Sequence, residues 1–216
     1  MKAIAEMRGL RFPDVYVTRM FFKENLHRAP GRVLELGCGS GNNLTLFAAF
    51  GWEVTGLDIS RAALADARHN IEGGSFIECD LASQFPLSES AVFDAILLPN
   101  VIYYLPRNSF VRLLRECRRR IRAGGTFFLI ARLPGDWRWG RGPEEEPGGF
   151  RLECRETGEY GLLNVFYGVD ELTELIEAHF GNLEQRQQLR STFDNPQNGV
   201  VVRNEEVVIW GRTAAP

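Results

Sequence analysis

Short apolar runs alternate with amphipathic stretches over the first 131 residues. Arg32–Leu36, Glu53–Leu57, Phe76–Glu78, Val92–Leu98 and Thr126–Ala131 have the length and apolar content of buried strands. Between them lie segments of helical spacing. Pro13 to His27 places Phe12, Val15, Phe22 and Leu26 near one face, with proline in the first turn. Leu44 to Phe50 follows the first strand. Ser60 reads as the N-cap of a helix reaching about Asn70. Arg107 to Arg122 is a further helix, ended by Gly124-Gly125. Strand–helix alternation of this kind predicts a parallel sheet with helices on both faces.

The pattern breaks after Ala131. Residues 133–168 hold Trp137, Trp139, the run Glu144–Glu146 and many glycines, too long for a simple connection and read as a functional loop or hairpin. Regularity returns with a helix capped by Asp170 and running to about His179. Leu183–Arg190 and Glu205–Gly211 read as an antiparallel hairpin at the sheet edge, joined by Asp194–Gly199.

The densest chemical signal follows the first strand. Val33-Leu34-Glu35-Leu36 leads into Gly37-Cys38-Gly39-Ser40-Gly41-Asn42-Asn43, with glycine at every second position. Glycine permits positive φ and a close approach of backbone N–H groups to a ligand, and the following helix start favours an anionic group. A dinucleotide fingerprint needs a third glycine at position 42, where the chain has Asn42. Asp58 follows Gly41 by 17 residues at the tip of the second strand, where a carboxylate can accept hydrogen bonds from a ribose diol. Asp80 stands at the tip of the third. Acids at successive strand tips are not explained by packing, since such loops face solvent.

Glu-x-Gly-x-Gly-x-Gly, with Asp58 and Asp80, resembles motif I and its companions in the class I S-adenosylmethionine-dependent methyltransferases. The resemblance covers Arg32 to Ala131 in motif and the tail in architecture. It implies an α/β, doubly wound, seven-stranded and mostly parallel sheet whose last strand is antiparallel, a Rossmann-like methyltransferase fold. One domain spans residues 1–216, divided into an N-terminal helical lid (1–30), a cofactor-binding core (32–131), a substrate-side insertion (133–168) and a closing helix and β-hairpin (169–212).

The resemblance also assigns roles. Gly37, Cys38, Gly39 and Asn43 belong to the turn beside the methionine end of S-adenosylmethionine, with Glu35 orienting the turn and the amino group. Asp58 holds the ribose and Ile59 packs on adenine, whose edge Asp80 and Leu81 read. Asn100, after the fourth strand, contacts the cofactor near the transferred methyl. Tyr16 and Arg19 belong to the lid. The resemblance does not cover residues 133–168; from residue type and place in the chain, Asn100, Tyr103, Tyr104, Trp137, Tyr160 and Tyr167 are the substrate-side candidates, with Arg138, Trp139 and Glu144–Glu146 in the same pool. No protein nucleophile is required, and the product is S-adenosylhomocysteine. A non-catalytic module binding the cofactor or this product would carry the same motifs.

Composition narrows the remainder. At 216 residues, 44% hydrophobic and 25% charged, the chain has the make-up of an ordinary globular domain. A net charge of −3 argues against a general nucleic-acid surface; Arg112, Arg115, Arg118–Arg120 and Arg122 read as a solvated helix face. Cys38, Cys79, Cys117 and Cys154 form no C-x-x-C pair and read as free thiols, and His27, His69 and His179 have no metal spacing. With no signal peptide or membrane span in the sequence, the expectation is a cytoplasmic monomer or homodimer acting on a small-molecule acceptor, without nucleic-acid, membrane or metal partners.

Overall fold

The computed structural model describes residues 4–214. Residues 1–3 of the expected lid lie outside the described residues. The first apolar run forms β1 (Arg32–Leu36), buried from Val33 onward. It runs parallel to β2 (Glu53–Asp58) on one side and β4 (Phe93–Leu98) on the other. β3 (Ser75–Glu78) extends the sheet beyond β2, and β5 (Ile121–Arg132) beyond β4, both parallel.

Strands buried on both faces need helices on both sides. Alternation along the strands sorts the core accordingly. Leu34, Leu36, Ile96, Leu98, Phe127 and Leu129 share one cluster with Phe110, Leu113 and Cys117 of α4 (Arg107–Arg120). Val33, Ala95, Leu97, Phe128 and Ile130 face the other way. They pack on α1 (Val15–Lys23), α2 (Asn42–Ala49) and α3 (Arg61–Asn70) through Phe21, Phe47 and Leu64. Glu35 occupies a β1 position on this second face and is 1% exposed.

The closing elements are α5 (Val169–Phe180), β9 (Glu184–Gln197) and β10 (Val200–Arg212). β10 inserts antiparallel between β5 and β9, giving a seven-stranded sheet ordered β3-β2-β1-β4-β5-β10-β9. The hairpin is longer than its composition suggests, because Asp194–Gln197 pair with Val200–Arg203. The turn is Asn198-Gly199 alone, at φ 47° and 83°, as a two-residue hairpin turn requires. Pro196 is tolerated because β9 is the sheet edge.

Other boundaries shift for local reasons. α1 stops at Lys23 because Asn25 turns left-handed at φ 58°, and a short 3-10 turn, Leu26–Arg28, replaces the expected last turn. α4 ends at Arg120 and β5 begins at once, so Gly124, at φ 72°, lies within the strand instead of capping the helix. α5 is capped at Gly168, not Asp170; the Gly168 N–H donates to the Glu171 carboxylate. Residues 133–168 contain a small antiparallel sheet, β6 (Glu144–Glu146), β7 (Gly149–Arg151) and β8 (Leu163–Val165). The arginines of α4 are not a uniform solvated face. Arg112 donates to the carbonyls of Leu81 and Ser83, and buried Arg120 to those of Leu87 and Ser88, tying down the loop after β3.

Candidate active site

Gly37, Gly39 and Gly41 all adopt positive φ, at 71°, 51° and 77°. At Gly37 space also forbids a side chain, since a Cβ would lie 2.5 Å from Val101 Cγ2. The turn is fastened to β2: Gly37 and Cys38 donate to the Leu57 carbonyl, and Gly39 N–H donates to Asp58 Oδ2 at 2.8 Å. Asp58 Oδ1 accepts from Ser60 N–H at 2.8 Å. Each carboxylate oxygen keeps a further acceptor site for a ligand hydroxyl. Asp80 is held similarly, with Oδ1 accepting from Ala82 N–H at 2.8 Å and Oδ2 from Ser83 Oγ at 3.2 Å.

A cavity of about 480 Å³ opens over these strand tips, lined by Gly37, Asp58, Ile59, Asp80, Leu81 and Asn100. Tyr104 also borders it. Cys79, Ala82, Val101, Leu105, Arg151, Leu162 and Leu163 complete the wall. Ile59 is exposed, an apolar side chain standing beside the acids.

Behind the turn lies an unfinished polar arrangement. Asn43 Nδ2 donates to Glu35 Oε1 at 2.7 Å, and Asn43 Oδ1 accepts from Asp14 N–H at 2.8 Å. Glu35 Oε2 is buried without a partner. Burial, reinforced by the negative charges of Asp58 and Asp14 and opposed by the Asn43 hydrogen bond, raises the Glu35 carboxyl to about 8. An orphaned buried acceptor in an acidic setting fits a cationic amino group delivered by a ligand. Together with the bare glycine backbone and the Asp58 acceptors, it matches the donor set of S-adenosylmethionine.

A second cavity, of about 390 Å³, shares Asn100 with the first. Asn100 is left-handed at φ 55°. Tyr103, a substrate-side candidate, lines this cavity; so does Tyr16, expected over the cofactor but absent from the wall of the first cavity, and Asp14, Arg132, Asp136 and Glu206 join them. The sequence offered no shared signal for these: Asp14 caps α1, Arg132 ends β5, Asp136 lies in the loop after it and Glu206 sits within β10. Arg132 lies over the Tyr103 ring at 3.9 Å and pairs with Glu159 at 2.7 Å. Glu159 also accepts from Tyr104 Oη at 2.7 Å and from Arg138, which holds Asp136 at 3.0 and 3.2 Å. Burial raises the Glu206 carboxyl to about 7; Asp14 and Asp136 add to the shift and Arg132 opposes it.

Other sequence candidates lie elsewhere. Arg19 is exposed on α1 and borders neither cavity. Cys38 turns its side chain into the core beneath the glycine turn. Trp137 is covered by Arg141 at 3.5 Å, and Tyr160, 52% exposed, by Arg155 at 4.0 Å. Tyr167 is fully buried between Arg107 and Phe110, a core residue and not a pocket wall. Trp139 packs edge-on against Phe150 and Phe166. Glu145 pairs with Arg151, Glu146 accepts from Arg107 N–H, and Glu144 accepts from Gly148 N–H. Buried Arg138 serves the ion network.

Residues 34–129 match the family model described as a methyltransferase domain. A trans-aconitate 2-methyltransferase of Methylobacterium nodulans is 35% identical over 61% of this chain and 46% of its own length. A ubiquinone biosynthesis O-methyltransferase of Pseudomonas syringae pv. tomato is 33% identical over 49% of this chain and 46% of its own. The chain thus spans about half the length of the curated relatives it matches. A crystal structure of a SAM-dependent methyltransferase from Methanosarcina mazei superposes with a TM-score of 0.70 at 21% identity, covering 90% of this chain and 98% of that one. These likenesses are to methyltransferases, in sequence over residues 34–129 and in fold over most of the chain.

Proposed function

We propose that this chain methylates a small-molecule acceptor and that its two cavities divide the work between donor and acceptor. S-adenosylmethionine, when bound, supplies an electrophilic methyl on a sulfonium and leaves as S-adenosylhomocysteine. Asp58 holds the ribose hydroxyls, Asp80 and Leu81 the adenine edge, and the Gly37–Gly41 backbone passes beside the amino-acid end. Glu35 receives the amino group. The observation that carries this reading is the unpartnered, buried Glu35 Oε2 directly behind the glycine turn. Fixing the acceptor against the donor removes the entropy of bringing them together, worth roughly 7–11 kcal/mol of a barrier when alignment is good.

A cavity of about 390 Å³ is in the range of small-molecule sites. Residues 4–28 act as the lid in this reading. Their hold on the turn supports it: Leu10 N–H donates to Ser40 Oγ, Arg8 N–H to Asn70 Oδ1, and Asn42 Nδ2 to the Phe12 carbonyl. The 133–168 segment faces the acceptor, since it contributes Asp136 to the second cavity. No helix among the described residues is long and apolar enough to cross a membrane. A cytoplasmic setting goes with the unpaired state of Cys38, Cys79, Cys117 and Cys154.

Calorimetric titration with S-adenosylmethionine and S-adenosylhomocysteine tests the reading. Asp58→Ala removes a charged acceptor worth about 1.5–3 kcal/mol, so affinity falls roughly ten- to hundredfold. Equal binding by wild type and variant would remove Asp58 from the site, and no binding by either would sink the proposal. Incubation with methyl-labelled donor and acceptor mixtures separates an enzyme from a binding module.

A further inference from the structure

The charges around the second cavity do not balance. Arg132 and Arg138 are matched by Glu159 and Asp136, and Glu205 by Arg190. Glu206 and Asp14 remain. Neither has a Lys, Arg or His partner within salt-bridge distance among the described residues. Asp14 Oδ1 accepts the N–H groups of Tyr16 and Val17, leaving Oδ2 without a protein donor. The charge of Asp14 adds to the raised carboxyls of both Glu35 and Glu206. Its rim is of the opposite character: Val15 is 68% and Phe193 49% exposed.

Resting on the methyl-transfer reading above, we propose that this cavity takes a small protonated amine with an apolar body, and that the Glu206 carboxylate accepts the proton the amine must lose. The body lies against Val15 and Phe193, and the ammonium reaches Glu206 and Asp14. An anionic acceptor would meet two uncompensated carboxylates instead. In the proton step an N–H bond of the ammonium breaks, its electron pair stays on nitrogen as the lone pair, and an O–H bond forms on Glu206. The amine becomes a neutral nucleophile and the carboxylate a neutral acid. The groups facing Glu206 are Asp14 from the start of α1, Arg132 from β5, Asp136 from the segment after it, and Tyr103 from the turn after β4. Burial, with two acids set against one guanidinium, holds the Glu206 carboxyl at about 7, suited to proton acceptance at neutral pH.

Benzylamine, benzyl alcohol and benzoate, titrated calorimetrically into the unliganded protein, test this without turnover. Benzylamine is expected to bind in the millimolar range or tighter at about pH 8, with the other two about tenfold weaker or worse. Its affinity drops about tenfold at about pH 5.5, where Glu206 is protonated. Glu206→Gln costs about tenfold, and Asp14→Asn, which keeps the helix cap, costs a smaller factor in the same direction and carries the test if the first variant fails to fold. Absence of benzylamine binding, preference for benzoate or benzyl alcohol, or indifference to both substitutions would overturn the assignment. S-adenosylhomocysteine titrated into the same preparations keeps the two readings apart. If it binds while the benzylamine arm fails, only the amine falls; if it does not bind, the methyl-transfer reading falls as well.

Discussion

The cavity beside Asp58 and the cavity beside Glu206 meet at Asn100 but are held by different forces. The first is shaped by backbone. Its turn is fixed by left-handed glycines and by N–H groups donating to Leu57 and Asp58. The second is shaped by side chains from distant segments, with Glu159 bridging Arg132 and Arg138, and Arg138 gripping Asp136. A backbone-built site tolerates side-chain change nearby and suits a ligand that does not vary. A site built from paired charges is costly to disturb, because removing one partner strands the other in low dielectric, yet it can be rewritten by changing a few residues together.

Substitutions can break that contrast. Arg138→Met leaves Asp136 and part of Glu159 unpaired and buried. It is expected to cost about 3–5 kcal/mol, lowering the melting temperature by roughly 6–20 °C. Affinity for S-adenosylhomocysteine is expected to stay within about twofold, if the two regions are mechanically independent. A parallel loss of affinity in calorimetry would show that the ion network also shapes the nucleoside cavity.

Glu35→Gln has a smaller and two-sided effect. The unfolded chain releases this proton near 4.5 and the folded chain at about 8, so the folded state binds more protons between them. The stability tied to this group is therefore full below the lower value and lost progressively as pH rises to the upper one. The glutamine variant escapes that loss. Thermal melts at about pH 8 are expected to show it more stable than wild type by roughly 2–4 °C for each kcal/mol recovered. Its affinity for S-adenosylmethionine is expected to fall about tenfold. A variant that melts lower at that pH, or binds equally well, would contradict the role given to Oε2.

Ser60→Ala makes the smallest change. Ser60 Oγ accepts from Ala63 N–H at 3.2 Å, a cap worth about 1 kcal/mol, so the melting temperature is expected to drop by roughly 2–4 °C. The Ser60 amide still holds Asp58, so nucleoside binding should be nearly unchanged. A large loss in a binding titration would mean that the start of α3, and not the turn alone, sets the Asp58 carboxylate.

The contrast also explains what could be read from the chain itself. Gly37, Gly39, Gly41, Asp58 and Asp80 are legible because each sits at a strand tip whose strand is announced by its own apolar run. The sheet and its closing hairpin are legible for the same reason. The Glu206 cavity draws on Asp14, Arg132, Asp136 and Glu206, which no period or spacing connects. Aromatic content within 133–168 pointed instead to Trp137, Tyr160 and Tyr167. Arg141 and Arg155 cover the first two, and α4 buries the third. Helix limits slipped where a single residue's backbone decided them, as at Asn25 and Gly168.

Asn43 gives the molecule a built-in readout. One amide side chain grips Glu35 with its nitrogen and the main chain of Asp14 with its oxygen, and Asp14 in turn secures the first amides of α1. A cation settling on Glu35 is expected to be felt at the start of α1 through this chain of contacts. Hydrogen-exchange rates at the Tyr16 and Val17 amides, compared with and without ligand, would read that occupancy with neither a dye nor a chromophoric ligand.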